Sequence, residues 1–385
     1  MAYQELARGA TRQAIINGSV QPRRALGPRQ HFWDGGAMGP RPWPFAILGP
    51  LLTIACIILA SVIFGALVAL GALFVLGSDF FVRVSQMTET QFVQMLDGVM
   101  RGELGLWATG LVFASVAIWL PCVWLVARVI QRWPFGKIIS MAGRERWRLF
   151  ALAGLVGALT WLGMVVFDTT LGFMVERELP AFGGFSWTWL WALLFVAPFV
   201  VAQSSAEEVI FRAYLPQCMH HFLPQFLKQP FLIAVVCSAI FAGLHWGNSD
   251  VMFSPWIAMV EFFALSMLIS WLSLRLGGVE PAMALHAINN CMLLLVFSAE
   301  QFTMGDHVLL TVPIAEGFGD QWYHWLIQAG HLGLTVGLFW VIGMWRASPL
   351  SLVAEAERQG WSIQGGDKLL DDVPNAAEIW ARVSR

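Results

Sequence analysis

Apolar stretches about as long as a lipid bilayer is thick recur along the chain. They lie at about 45–77, 105–127, 149–167, 187–206, 230–246, 251–274, 281–299 and 323–345. Each meets or approaches the ~20 residues that a helix needs to cross a bilayer, and within lipid a helix satisfies its own backbone hydrogen bonds. The pattern predicts an all-α, polytopic membrane helix bundle of about eight transmembrane helices.

The composition agrees with a membrane protein. Of the 385 residues, 57% are hydrophobic and 12% are charged, whereas soluble domains carry about 25% charged residues. The formal net charge of −2 gives no reason to expect a nucleic-acid partner. The lipid bilayer is therefore the expected surrounding of most of the chain.

Polar segments flank the apolar region at both ends. Residues 1–43 and 347–385 are predicted to be cytosolic tails of a transmembrane domain at 44–346, and the first tail is expected to be flexible. The first apolar stretch begins too late, and is too long, for a cleavable signal peptide. Strict alternation leaves three of the 23 lysines and arginines outside, Arg83, Arg101 and Arg177. The positive-inside rule therefore places both termini in the cytoplasm.

Seven polar or ionisable side chains lie within or at the ends of these apolar stretches. They are Glu207, Glu208, His245, Glu261, His286, Asn289 and Asn290. Such groups are costly at membrane depth, and they are a functional-site hypothesis by default because most are kept for a pathway, a partner or a reaction. The acids at 207 and 208 also fit a simpler interpretation, in which they cap the cytosolic end of the fourth span.

Two helical spacings divide the work among these residues. Glu208 and Arg212 are four apart and face each other in the acid-before-base order that favours an ion pair. Glu207 is rotated about 100° away and stays available for chemistry. His286 and Asn290 are also four apart, so an imidazole and a carboxamide share one face of the seventh span.

The depth of His245 places a condition on the fourth span. Counted from the start of the fifth span, His245 lies ~22 Å from the cytosolic face, whereas Glu207 is expected close to that face. The two side chains meet only if the helix that carries Glu207 continues past Arg212 toward Pro216. We therefore expect a longer fourth helix than its apolar run indicates, with a kink at Pro198.

Three short motifs, in this order, resemble the CPBP family of intramembrane proteases, which includes type II CAAX prenyl endopeptidases and bacteriocin-processing, Abi-like relatives. The family's E-E-x-x-x-R is matched by Glu207, Glu208 and Arg212. Its F-x-x-x-H is matched by Phe241 and His245, and its H-x-x-x-N by His286 and Asn290. Each motif alone is weak, but all three fall on separate apolar segments, so the resemblance indicates a protease-like core at 187–299.

The resemblance implies a peptidase made of transmembrane helices in a bacterial-type inner (plasma) membrane, with an active site accessible from the cytosolic side. It implies a set of catalytic residues, namely Glu207, His245, His286 and Asn290. General chemistry agrees with these assignments. Glu207 acts as base on a water with help from His245, and the other two side chains donate hydrogen bonds to the oxyanion. Glu208 and Arg212 are then structural support.

Metal use stays open at this point. The family is described as metalloprotease-like, and a two-histidine, one-carboxylate zinc set with water as fourth ligand would consist of Glu207, His245 and His286. The sequence lacks H-E-x-x-H, and the same side chains suffice for a metal-free glutamate and histidine mechanism. We favour the metal-free alternative.

The expected substrate is a membrane-associated or lipid-anchored protein or peptide, and its prenylation is left open. A non-enzymatic alternative is a proton-coupled transporter that uses Glu207, Glu208 and Glu261 as a relay, or a scaffold that keeps the fold without turnover. Asn290 and the histidines favour hydrolysis, because a proton relay needs no oxyanion donors. Glu261 matches no motif and is expected to be structural.

Overall fold

The computed structural model describes most of the chain between residues 44 and 312. The described residues are 32–33, 44–100, 102–103, 105–140, 145–175, 181–182, 186–248, 255–299, 307–312, 329–330, 333–334 and 336–338. The C-terminal tail predicted at 347–385 lies outside these residues. Most of the eighth span predicted at 323–345 does so as well.

Helices account for nearly all of the described chain. The α-helices are α1 (Pro44–Leu76), α2 (Ser78–Ser85), α3 (Glu89–Met100), α4 (Leu106–Ala117), α5 (Trp119–Leu125), α6 (Phe135–Ile139), α7 (Trp147–Val175), α8 (Trp187–Phe195), α9 (Ala197–Glu208), α10 (Leu215–Phe222), α11 (Pro230–Leu244), α12 (Pro255–Leu276) and α13 (Glu280–Cys291). Three stretches widen into π-helix, π1 (Val126–Gln131), π2 (Val209–Tyr214) and π3 (Met292–Val296). A 3₁₀ turn spans Gln225–Leu227.

Within the part of the chain that the structure describes, five helices are long and apolar enough to cross a membrane. They are Pro44–Leu76, Leu106–Gln131, Trp147–Phe167, Trp187–Phe222 and Ala258–Leu276. Many apolar side chains of α1, such as Ile58 and Leu67, are exposed on the bundle, which suits a surface that faces lipid. An integral membrane protein is therefore confirmed, and so is the mainly helical fold.

The predicted count of eight spans is not confirmed. The fifth predicted span is α11, an apolar helix of 15 residues, which is shorter than the ~20 residues that a straight crossing needs. The seventh predicted span, 281–299, is helical through α13 and π3 and then becomes an extended strand at Phe297. Hydropathy alone does not register this change, because apolar residues suit a strand as well as a helix.

The fourth helix is much longer than its apolar run. The chain from Trp187 to Phe222 forms one long helical segment. It passes Glu208 through π2 into α10, as the predicted depth of His245 required. This segment is interrupted once, at Val196 between α8 and α9. Pro198 follows directly, and because proline lacks the N–H that would continue the helix ladder, the predicted kink has a local cause.

Two loops meet at one end of the bundle. The amide of Val279, in the turn between α12 and α13, donates to the carbonyl of Ile139 at the end of α6, over 2.9 Å. Ser140 and Gly278 form an isolated antiparallel bridge beside it. The predicted topology, in which α11 counts as a span, places both loops on the same side of the membrane, and these contacts agree with that prediction.

A small sheet, which the hydrophobic pattern does not show, joins two other connections. Its strands are β1 (Ala181–Phe182), β2 (Phe297–Ala299) and β3 (Leu310–Val312), in the order β1-β3-β2. β1 pairs antiparallel to β3, with Ala181 opposite Thr311. β2 pairs parallel to β3, with Phe297 opposite Leu310. The sheet ties the chain before α8 to the chain after π3.

Part of the first polar tail packs inside the bundle. Phe32 and Trp33 are buried in the same core cluster as Trp133 and Tyr214. The indole Nε1 of Trp33 donates a 2.7 Å hydrogen bond to the carbonyl of Arg212 in π2. The expectation of a flexible tail is therefore wrong at these two residues, since a tryptophan supplies enough apolar area to anchor a polar segment.

Candidate active site

The two adjacent acids end α9 at the point where the helix widens. Glu207 is 7% exposed and Glu208 is fully buried. The next residue, Val209, begins π2, a helix form that appears often at functional sites. The acids are thus buried in the middle of a long helix, so the interpretation that they cap the cytosolic end of a span is wrong.

Glu208 is held from two directions. Its Oε2 lies 3.1 Å from Nε of Arg212, one turn further along the helix, as their spacing predicts. Its Oε1 accepts a 2.7 Å hydrogen bond from Nδ1 of His286 on α13. Glu208 therefore links π2 to α13, a contact that the sequence spacing does not show.

Arg212 is a buried cation with a largely non-ionic surrounding. Its guanidinium carbon lies 4.0 Å from the centre of the Phe241 ring, an arrangement in which the ring face attracts the charge. Its side chain is 1% exposed, and among the described residues its Nε and Nη1 lack a hydrogen-bond partner of good geometry. Glu208 thus provides charge compensation, without an ideal hydrogen bond.

Glu207 has one constrained oxygen and one open oxygen. Its Oε1 accepts a 2.5 Å hydrogen bond from Nε2 of Gln203, one turn earlier on α9. Its Oε2 lies 3.8 Å from Nε2 of His286 and has no hydrogen-bond partner in the described part of the chain. A carboxylate oxygen with an unused lone pair next to an imidazole is suited to take up a proton.

His286 and Asn290 both face α9, as their common helix face predicts. Nδ2 of Asn290 lies 3.4 Å from Oε1 of Gln203 and 3.3 Å from Oγ of Ser204. Its Oδ1 accepts from Asn289 over 3.3 Å. These distances are at the long end for hydrogen bonds. The Asn290 amide therefore lies at the site but is held there by weak hydrogen bonds.

A second ionic cluster fixes the start of α13. Arg146 donates from Nε to Oε1 of Glu280 over 2.8 Å and from Nη2 to Oε2 over 2.7 Å. Its Nη1 donates to the carbonyl of Leu276 over 2.7 Å. Gly277, with a φ of 67°, turns the chain between the two helices. His286 lies two turns beyond this anchor, so its position depends on the pair.

His245 is connected to the site through the ring of Phe241. It follows the last residue of α11, is half-buried, and its Nδ1 is 2.7 Å from the carbonyl of Phe241. Its ring packs between Phe241 and Phe262, with centres 4.4 and 4.6 Å apart. Phe241 in turn packs edge-on against His286 at 5.9 Å. The motif phenylalanine thus connects the two histidines and Arg212, a role that the sequence did not reveal.

The candidate zinc ligands do not form a metal site as they are arranged. Glu207 and His286 are neighbours, whereas Nδ1 of His245 contacts the carbonyl of Phe241 and its ring stacks on the Phe241 side chain. Within the described ranges, no group of three or more histidine, cysteine or acidic side chains has the geometry to hold a metal. The residues therefore do not fit a two-histidine, one-carboxylate zinc centre.

A small cavity between α7, α12 and α13 reaches His286. It is lined by Gly157, Thr160, Trp161, Leu265, Leu285, His286 and Asn289, among others, and has a volume of about 20 Å³. A space of this size holds about one water molecule. The imidazole is therefore next to a water-sized space with a mainly apolar lining.

The structure also supplies residues that the motifs omit. Gln203 and Ser204 lie in the site although neither belongs to the three motifs. Their signal in the sequence is the polar run 203–205 within an apolar helix, together with the four-residue spacing from Gln203 to Glu207. Glu261 lies on α12 beside Phe262, and its expected structural role stays a prediction.

The comparisons with known proteins concern the segment that contains this site. Residues 185–292 match the family model described as type II CAAX prenyl endopeptidase Rce1-like. The chain carries an Rce1-like region. The resemblance that the three motifs indicated is therefore confirmed, and this region spans α8 to α13 and contains every residue of those motifs.

A curated relative extends the similarity beyond this region. The uncharacterized protein YyaK of Bacillus subtilis (strain 168) is 25% identical over 183 residues, which cover 47% of this chain and 58% of YyaK. The chain thus matches little more than half the length of that relative. No solved structure matches the chain.

Proposed function

We propose that this protein is an intramembrane endopeptidase that hydrolyses a peptide bond in membrane-associated or lipid-anchored proteins or peptides. The observation that carries the proposal is the open Oε2 of Glu207, buried beside the Nε2 of His286. An unsatisfied carboxylate oxygen in a buried site is costly, and a hydrolytic base requires such an oxygen. The Rce1-like region around it supports peptide hydrolysis over other uses of a buried acid.

In this mechanism Glu207 takes a proton from water. The resulting hydroxide attacks the carbonyl carbon of the scissile bond, and the carbonyl oxygen becomes an oxyanion. When the intermediate collapses, the C–N bond breaks and the proton held by Glu207 passes to the leaving amine. The carboxylate returns to its starting state, so the cycle needs no additional reactant.

His286 is proposed to stabilise the oxyanion. Its Nδ1 is engaged by Glu208, so a hydrogen bond to the oxyanion comes from the opposite nitrogen, Nε2. Because Nδ1 donates to Glu208, donation from Nε2 requires that both ring nitrogens carry a proton when the oxyanion forms. Asn290 provides a second donor, because its long contacts with Gln203 and Ser204 can give way to an anion. Donors of this kind are worth about 3–4 kcal/mol of barrier each.

His245 is proposed to hold the attacking water. A carbonyl oxygen only accepts hydrogen bonds, so the contact with Phe241 assigns the proton to Nδ1 of His245 and leaves Nε2 as an acceptor. The ring is half-buried and lies next to the Phe241 ring that borders His286. It enters the cycle through the water and needs no direct bond to Glu207.

We propose that substrate reaches the site from the cytosolic side of a bacterial-type plasma membrane, with both termini of the chain in the cytoplasm. The basic segment 128–148 precedes α7 and contains Arg146, which anchors the start of α13. The positive-inside rule places such a segment in the cytoplasm. His286 lies only two turns from this anchor.

The experiment that tests the function compares membrane proteomes from cells that express the wild-type chain or Glu207→Gln at matched levels. We expect precursors of membrane-associated proteins to accumulate only with Glu207→Gln. Ser205→Ala is the matched control, because Ser205 lies on the same helix and its hydroxyl donates to the carbonyl of Val201, one turn earlier on that helix. Identical proteomes for the wild type and Glu207→Gln would contradict the proposal.

A purified system then separates the finer alternatives. An accumulated precursor is reconstituted with the wild-type protein in liposomes, with and without a prenyl group on the precursor and with and without a metal chelator. We expect cleavage to persist after chelation, because the zinc candidates do not converge in the structure. Loss of cleavage that added zinc restores would overturn the metal-free mechanism. Proton flux across the liposomes without cleavage would favour the transporter alternative.

A further inference from the structure

Gln203 connects the two sides of the proposed active site. Its side chain is buried, one helical turn before Glu207, and belongs to none of the three motifs. Its amide nitrogen donates to Oε1 of Glu207 over 2.5 Å. Its amide oxygen accepts from Oγ of Ser204 over 3.2 Å and from Nδ2 of Asn290 over 3.4 Å.

These partners determine which way the amide points. An ionised carboxylate only accepts hydrogen bonds, so the NH₂ group of Gln203 must face Glu207. Its oxygen then faces Asn290, whose own NH₂ group donates. The result is a directed chain of hydrogen bonds that runs from Asn290 through Gln203 to Glu207, from the proposed oxyanion donor to the proposed base.

We propose that Gln203 is a positioning residue that aims the free oxygen of Glu207 and couples the base to Asn290. The inference rests on the proposed function. With Oε1 held by Gln203, rotation of the carboxylate is restricted and Oε2 stays directed toward His286. When Asn290 turns to the oxyanion, the oxygen of Gln203 loses its more distant donor and keeps the hydrogen bond from Ser204. The hydrogen bond from Gln203 to Glu207 is therefore maintained through the reaction.

The principal test replaces Gln203 by methionine. Gln203→Met keeps the length and most of the volume of the side chain but removes the donor to Glu207. Loss of a hydrogen bond to a charged group removes enough binding free energy to lower kcat by about 10- to 100-fold. We expect this fall in kcat with KM nearly unchanged, since no contact with substrate is removed. Ser205→Ala again serves as the control and should keep the wild-type kcat.

A conservative variant and a mutant cycle separate positioning from packing. Gln203→His retains an N–H donor on the same helix face and is expected to restore part of the kcat that Gln203→Met loses. In a cycle with Asn290→Leu, the two losses in kcat should be smaller together than the product of the single losses, as for residues that act through one chain of contacts. Equal kcat for Gln203→Met and the wild type, or independent effects in the cycle, would overturn the inference.

The outcome for Glu207 keeps this inference distinct from the proposed function. If Glu207→Gln retains full cleavage, the proposed function fails and the role of Gln203 fails with it. If Glu207→Gln abolishes cleavage while Gln203→Met cleaves normally, only the positioning role fails. Thermal unfolding of each purified variant in detergent shows whether a lost kcat reflects a lost fold.

Discussion

Two ionic clusters contact α13, one at Glu280 and one at His286, and they differ in how completely their polar atoms are satisfied. Arg146 and Glu280 form a bidentate pair at the start of α13, and the remaining arm of Arg146 binds the Leu276 carbonyl. Glu207, Glu208 and Arg212 form the other cluster, and each has at least one buried atom without a hydrogen-bond partner in the described part of the chain.

This difference separates an anchor from a reactive site. A buried charge pair with good geometry on both sides holds two segments in one arrangement. Buried polar atoms that lack partners reduce stability, and a protein keeps them where a substrate, a water or a developing charge supplies the missing partner. The same residue types therefore serve stability at Glu280 and, in the function proposed here, chemistry at Glu207.

The largest expected effect is on catalysis and comes from Glu207→Gln. The variant keeps the shape of the side chain and removes the base, so kcat should fall by roughly 10²- to 10⁴-fold while the amount of folded protein changes little. Cleavage of a reconstituted precursor measures kcat. Glu280→Gln is the matched control in the other cluster, and we expect it to lose stability but to retain most of its activity per folded molecule. The opposite pattern would reverse the assignment of the two clusters.

The next effect distinguishes the two adjacent acids. Glu208→Ala leaves Arg212 buried without its counter-ion, and loss of one partner from a buried pair costs about 3–5 kcal/mol. We expect lower abundance in the membrane and a lower unfolding temperature in detergent than for Glu207→Ala, which breaks no ion pair with an arginine. Equal abundance and equal unfolding temperatures for the two variants would remove the division between base and support.

A smaller effect is expected from Gly278→Ala in the anchoring cluster. A Cβ atom at Gly278 would fall within contact distance of both Arg146 and Glu280, so the pair must shift. Crowding of this kind typically costs about 1–3 kcal/mol. The unfolding temperature measures the loss, and Gly243→Ala is the control because nothing lies within 4 Å of a Cβ atom there. A Gly278→Ala protein as stable as the wild type would show that the anchor adapts easily.

The smallest effect is expected at the contact between the tail and π2. Trp33→Phe keeps a buried aromatic ring and removes the hydrogen bond to the carbonyl of Arg212, a loss of about 0.5–1.5 kcal/mol. Unfolding in detergent measures the change. Trp187→Phe replaces a tryptophan that is 78% exposed and should have little effect. If the two variants behaved alike, the tail would contribute nothing to the reactive cluster.

Local spacing predicted the contacts that depend on one helix. Glu208 and Arg212 are four residues apart and do meet, and His286 and Asn290 share the face that points at α9. The hydrophobic pattern also predicted a membrane protein of long helices. These features follow from the period of the α-helix and the thickness of the bilayer, which any chain must obey.

Helix spacing and the hydrophobic pattern do not predict contacts between distant segments. Nothing in the spacing pairs Glu280 with Arg146, 134 positions earlier, or places Trp33 against Arg212. The conversion of 297–299 into a strand was equally hidden, because strand pairing depends on a partner elsewhere in the chain. The residue types of the candidate zinc set gave no sign that His245 contacts Phe241 and forms no three-residue metal-binding group with Glu207 and His286.

The sequence by itself determined which residues are present for chemistry: the paired acids, the two histidines and Asn290, in an order that resembles intramembrane proteases. Their spacing on one helix also paired Glu208 with Arg212 and set Glu207 apart. The tertiary structure alone decided the partners from other helices. Packing of α9 against α13 brings Nδ1 of His286 to Oε1 of Glu208, and it leaves Oε2 of Glu207 without a hydrogen-bond partner among the described residues. The physical reason is that a residue's spacing sets its direction on its own helix, whereas the atoms opposite it are chosen by how separate helices pack.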